Sequence, residues 1–117
     1  GVVSSPFDST VRSLLVAVYE LGVKEIMIVG HTDCGAQHLV PEEMINLMLK
    51  RGISRDHIDM MRYCGIDFNS WLSGFESSEI AVHESVELVR HHPLMPSDIT
   101  VRGFIINSET GLLTEVK

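Results

Sequence analysis

The stretch Glu25-Ile26-Met27-Ile28-Val29-Gly30-His31-Thr32-Asp33-Cys34-Gly35 decides the fold. Residues 25–29 form a short apolar run rich in strand formers. Such a run, apolar at consecutive positions, suits a central parallel strand covered on both faces. It stops at a small polar loop, Gly30 to Gly35. In open α/β sheets, ligand sites gather beyond the carboxyl ends of strands, where this loop lies.

Working outward, Asp8 or Ser9 caps a helix in which Val11, Leu14, Leu15, Val18 and Leu21 keep helical spacing, and Gly22 ends it as a left-handed cap. Downstream, Pro41 opens a second helix, with Glu42 and Glu43 at its positive end and Gly52 closing it. Short helices follow over Arg55 to Met61 and around Trp71. Ser77 or Ser78 caps a helix carrying Ile80, Val82, Val86 and Val89, which ends before His92-Pro93. Ile99 to Ile106 reads as a strand, Asn107 to Gly111 as a turn, and Leu112 to Val116 as the hairpin partner. The predicted fold class is α/β: a mostly parallel sheet flanked by helices, with an antiparallel C-terminal hairpin, in a single domain over residues 1–117.

Hydrophobic residues make up 44% of the chain and charged residues 21%, as in a folded protein. A net charge of −7 argues against nucleic-acid binding, which needs a surplus of Lys and Arg. No apolar run reaches the roughly 18 residues that cross a bilayer, so no membrane partner is expected. The opening Gly1-Val2-Val3-Ser4-Ser5-Pro6 does not read as a signal peptide. With two cysteines, Cys34 and Cys64, a reduced cytoplasmic protein is the simpler expectation.

His31 and Cys34 carry the chemistry. Imidazole nitrogen and thiolate sulfur both bind zinc, and a two-residue gap lets one tight turn aim both at a single ion. Gly30 and Gly35 bracket the turn and permit unusual backbone angles. Zinc needs three or four protein ligands and two are visible, so a plain turn competes. Cys34 as a nucleophile with His31 as base is a second competitor. Phosphate binding at the following helix is a third, without a glycine-rich motif to support it. Among the other histidines (His38, His57, His83, His91 and His92), His38 is the one to watch as a proton shuttle, while His91 and His92 suit a helix C-terminus. Asp33 is expected to shape the turn through its side chain. Cys64 reads as a small buried hydrophobe, Met44, Met48, Met60 and Met61 as packing residues, and Arg51, Arg55 and Arg62 as a weak basic face.

Taken in order, several segments resemble the β-class carbonic anhydrases: Ser13 to Val23, Ile26 to Gly35 with its H-x-x-C-G loop, Trp71-Leu72, Val82 to Val89, His92-Pro93-Leu94, Val101 to Phe104, and Thr110 to Leu113. The resemblance covers nearly the whole chain. It implies zinc on His31, Cys34 and an upstream cysteine, lowering the pKa of a water to about 7 for attack on carbon dioxide to give bicarbonate. It also implies a homodimer or a multiple of dimers. The family's Cys-x-Asp-x-Arg segment, with the third ligand and an Asp–Arg pair, does not occur in this sequence. The catalytic residues are therefore unknown here and expected upstream of Gly1, and the 117 residues alone are expected to be inactive. The alternatives are a non-catalytic relative kept for binding or assembly, and a Cys34-dependent thiol hydrolase.

Overall fold

The computed structural model describes residues 3 and 5–117; the opening stretch read for a leader falls largely on Gly1, Val2 and Ser4, which lie outside the described residues. In chain order the elements are α1 (Ser9–Leu21), β1 (Glu25–His31), a single 3-10 turn (Gly35–His38), α2 (Pro41–Lys50), α3 (Arg55–Tyr63), α4 (Phe68–Trp71), α5 (Ser78–Arg90), β2 (Thr100–Ile106) and β3 (Leu113–Val116). The described residues gather into two compact units. One comprises Gly1–Cys34 with Glu76–Lys117, the other Gly35–Phe75. No helix among the described residues is long and apolar enough to cross a membrane.

The first unit holds the sheet, ordered β1-β2-β3. β1 and β2 run parallel, with Ile26 opposite Val101, Ile28 opposite Gly103 and His31 opposite Ile106. β2 and β3 run antiparallel. The fold is thus α/β with a mixed sheet, and its hairpin stands where the turn residues put it. Helix starts follow the caps: Asp8 accepts from the Thr10 N–H and Ser77 from the Ile80 N–H, satisfying donors that the first turn leaves open. Gly22 closes α1 with φ of 72°.

Two expectations about β1 need correction. It runs to His31 rather than stopping at Val29, because its ladder with β2 continues to Ile106. It is also not central: β2 is, and β1 forms an edge of the described sheet. Only one face of β1 is covered. Ile26 and Ile28 join a core with Val11, Val18, Val82, Val86, Val89 and Val101, whereas Met27 and Val29 are 57% and 48% exposed.

That core is tight where α5 meets the sheet. A Cβ at Gly30 would stand 2.7 Å from Val82 Cγ2; one at Gly103 would stand 2.6 Å from Val82 Cγ1 and 2.9 Å from Val86 Cγ2. Gly30 is therefore needed for close approach of a helix, not for an unusual backbone angle. On β2, Arg102 reaches across to Glu115 of β3 with two bonds of 3.1 Å. That hydrogen bond and the accompanying charge hold the Glu115 carboxyl below its ordinary pKa.

The second unit packs Ile45, Ile58 and Phe68 into a small core, with Met48 and Leu49 against it. Met60 and Met61 lie outside this core and are exposed. Arg62 is no part of a basic face: it pairs with Asp59 at 3.3 Å and lies over the Phe68 ring.

Valine methyls sit on a stiff side chain and cannot swing away. Gly103→Ala should therefore destabilise the protein by about 1–3 kcal/mol through overpacking, whereas Gly35→Ala, facing open space, should cost less. Urea unfolding of both variants checks this; equal losses would refute the packing argument.

Candidate metal centre

His31 closes β1, and the loop beyond it is tied down on two sides. From α5, the Ser78 hydroxyl donates to the His31 carbonyl at 2.9 Å. From the β2–β3 turn, the Ser108 N–H donates to Thr32 Oγ1 at 3.0 Å, and the two hydroxyl oxygens lie 2.9 Å apart. The Thr32 N–H also donates to the Ile106 carbonyl, carrying the ladder one residue past the strand.

The His31 ring adds a directional feature. Its Nδ1 lies 2.9 Å from the Thr32 carbonyl oxygen. A carbonyl only accepts, so Nδ1 is the proton-bearing nitrogen, and in the neutral ring Nε2 is the one with the lone pair. Asp33 then reverses the chain with φ of 55°, the only left-handed non-glycine residue among those described. Its backbone, rather than its side chain, shapes the turn. Asp tolerates this conformation better than most residues. Cys34 comes next, half-buried and free. Gly35 was expected to supply unusual angles, but its φ is not positive.

His31 and Cys34 thus both stand at the carboxyl end of β1. Among the described residues no group of three or more His, Cys, Asp or Glu side chains could hold a metal ion. No hydrogen bond joins the Cys34 thiol to His31 among those residues, which gives the thiol–base pair no geometric support. Gly35 opens only a single 3-10 turn, too short to present the aligned dipole that a phosphate site uses.

The remaining candidates have other roles. Cys64 is exposed rather than buried, at the C-cap of α3, where its backbone N–H donates to the Met60 carbonyl. His38 ends the 3-10 turn in the unit 35–75 and is exposed. His91 bonds Glu87 at 2.9 Å. His92 was expected to favour the helix dipole. Instead its Nδ1 accepts from the Leu94 N–H while Nε2 donates to the Pro6 carbonyl, which is the arrangement of a neutral ring. Sequence reading missed Thr32 and Ser108 as partners, since 76 residues separate them and neither has a local signature.

An α/β sheet with candidate donors at a strand's carboxyl end is the frame in which the likenesses to known proteins fall. The sequence matches the carbonic anhydrase family over residues 1–113, and the chain belongs to the β-class of that family. It is 41% identical over 113 residues to the Bacillus subtilis protein YtiB, covering 97% of this chain and 60% of that one. The crystal structure of β-carbonic anhydrase isoform I from Trichomonas vaginalis superposes with a TM-score of 0.87 at 34% identity, covering 98% of this chain and 62% of that one. A carbon disulfide hydrolase from Acidianus is 29% identical over 118 residues, covering 91% and 58%. The chain spans about 60% of the length of these relatives.

The left-handed turn at residue 33 generates a prediction. Asp33→Val should lose about 1–2 kcal/mol, since a β-branched residue is strained at positive φ, while Asp33→Gly should be neutral or stabilising. Thermal unfolding of both variants tests this, and a Val variant as stable as the Gly one would contradict the turn geometry.

Proposed function

We propose that the protein carrying this chain is a zinc-dependent carbonic anhydrase that interconverts carbon dioxide and bicarbonate, with His31 and Cys34 as two of the metal's ligands. The observation that carries the reading is the His31 ring: its Nδ1–H is committed to the Thr32 carbonyl, which leaves Nε2 as a donor three residues before a free thiol. Neutral imidazole and thiolate suit zinc, and an outer hydrogen bond on the ligating ring is the usual companion of such a site. The remaining ligand and the acid–base residues are assigned to a segment outside the described residues.

When bound, zinc supplies the acidity that makes water a nucleophile near neutral pH. The chain's own residues prepare the place. His31 offers a neutral nitrogen and Cys34 gives up its thiol proton, so protons compete with the metal as pH falls. Ser78 and the Ile106 carbonyl hold the backbone on either side of the donor. Carbon disulfide is the substrate named for a more distant relative. The higher identity to the Trichomonas carbonic anhydrase favours carbon dioxide.

In the intact protein, His31→Ala and Cys34→Ala should each cut carbon dioxide hydration at least about 100-fold, beyond what losing an outer hydrogen bond costs. Chelation should abolish activity, zinc should restore it, and Cys34 should react with iodoacetamide only after stripping. The 117 residues alone should stay at background. Full activity without metal, with Cys34 labelling fast throughout, would establish the thiol hydrolase instead. Sulfide release from carbon disulfide without carbon dioxide hydration would reassign the substrate, and inactivity of the intact, zinc-loaded protein would leave a binding role.

We further read residues 1–117 as part of one domain, in a homodimer or a multiple of dimers. The exposed Met27 and Val29 beside the edge of β1 support a covered face, because open apolar edges invite pairing. The two free cysteines support a cytoplasmic setting. Sedimentation should give a dimer or higher mass, reduced by Val29→Glu; a monomer at micromolar concentration would sink this reading.

A further inference from the structure

We infer that Thr32 and Ser108 act as a clamp that positions His31, fixing its ring with the proton on Nδ1 and Nε2 free for a cation. The inference rests on the zinc reading of the same loop and adds two positioning residues to it.

The chain of contacts is continuous. Ser108 sits in a turn that is itself rigid: Asn107 Oδ1 accepts the Glu109 and Thr110 N–H groups, and the Asn107 N–H donates to the Leu112 carbonyl. From that base the Ser108 N–H and hydroxyl engage Thr32 Oγ1 at 3.0 and 2.9 Å. The Thr32 N–H is held by Ile106 as well, so the residue is fixed through both backbone and side chain. The Thr32 carbonyl then receives the His31 Nδ1–H at 2.9 Å. Which imidazole nitrogen carries the proton is set by the bond that the other ring position makes. A freely rotating Thr32 peptide would not set it. Ser78 supports the same peptide run from the opposite side, through the His31 carbonyl.

This arrangement explains why two small hydroxyl residues from opposite ends of the chain bond each other on the surface, where such a bond adds little stability. Its effect lies in where a proton sits. Thr32→Val keeps the volume and branching of the side chain but removes Oγ1 and with it the 3.0 and 2.9 Å contacts to Ser108, leaving only the longer 3.5 Å approach of the Ser108 hydroxyl to the Thr32 carbonyl.

The test is ¹⁵N NMR of the His31 ring in the intact, metal-free protein, with zinc affinity measured separately by chelator competition. Thr32→Val should shift the ring population away from Nδ1–H and weaken zinc binding about 10–100-fold, the range for outer partners of a ligating histidine. Thr32→Ser, which keeps Oγ1, should restore both. A merely structural role would lower stability and leave the tautomer unchanged. If Thr32→Val does not fold, Ser108→Ala, which removes the hydroxyl's contacts to Thr32 Oγ1 and to the Thr32 carbonyl but keeps the backbone one, should move both readouts in the same direction. A folded variant with unchanged tautomer and affinity overturns the clamp. Should His31→Ala bind zinc as tightly as the unaltered protein, the zinc reading fails, and the metal-free tautomer measurement still decides the clamp.

Discussion

The sheet-bearing unit depends on one contact, Val82 of α5 resting on Gly30 and Gly103 of neighbouring strands. Its two γ-methyls stand where the glycine Cβ atoms would be, at 2.7 and 2.6 Å. No other residue type allows that approach without displacing the helix, because interiors are packed to crystal density and valine has no softer rotamer to adopt. The contact sets how far α5 lies from the strand ends. One turn earlier on the same helix, Ser78 is thereby within 2.9 Å of the His31 carbonyl. A packing constraint deep in the core thus fixes a hydrogen bond at the surface.

Much of this was legible from the residues, for identifiable reasons. Caps are local: Asp8 and Ser77 need only the donors of their own first turn, and Gly22 needs only its own φ. The hairpin was readable because Asn107 and Gly111 carry their turn chemistry within five residues. β1 was located correctly and placed wrongly in the sheet. Consecutive apolar residues report that a strand can be buried on both faces. They do not report which neighbours do the burying, and here Met27 and Val29 face away from the core. Gly30 and Gly35 were given the same backbone role, yet the left-handed position fell to Asp33. Positive φ has no signature in a loop where several residues could bear it.

The loop's two candidate donors were likewise visible as an H-x-x-C spacing, whereas the groups that hold the loop around His31 were not. Ser78 was read only as a possible cap and Ser108 only as a turn residue. The cap fell to Ser77 and the turn reading of Ser108 was incomplete, because the side-chain bonds of Ser78 and Ser108 run to residues dozens of positions away. Side chains of this kind, small and polar, leave no periodic trace. Family resemblance supplied what spacing could not, since two donors alone do not distinguish a zinc loop from an ordinary turn.

The parallel pairing of β1 with β2 has a temporal side. Its partners, such as Glu25 and Thr100, are 75 residues apart in sequence, and contacts of that reach form slowly because a long loop must close first. As the chain leaves the ribosome, His31, Thr32 and Cys34 emerge well before Ile106 and Ser108. Until those later residues arrive, the loop lacks the contacts from Ile106 and Ser108 that fix Thr32. The candidate centre therefore matures long after its two donors have been made.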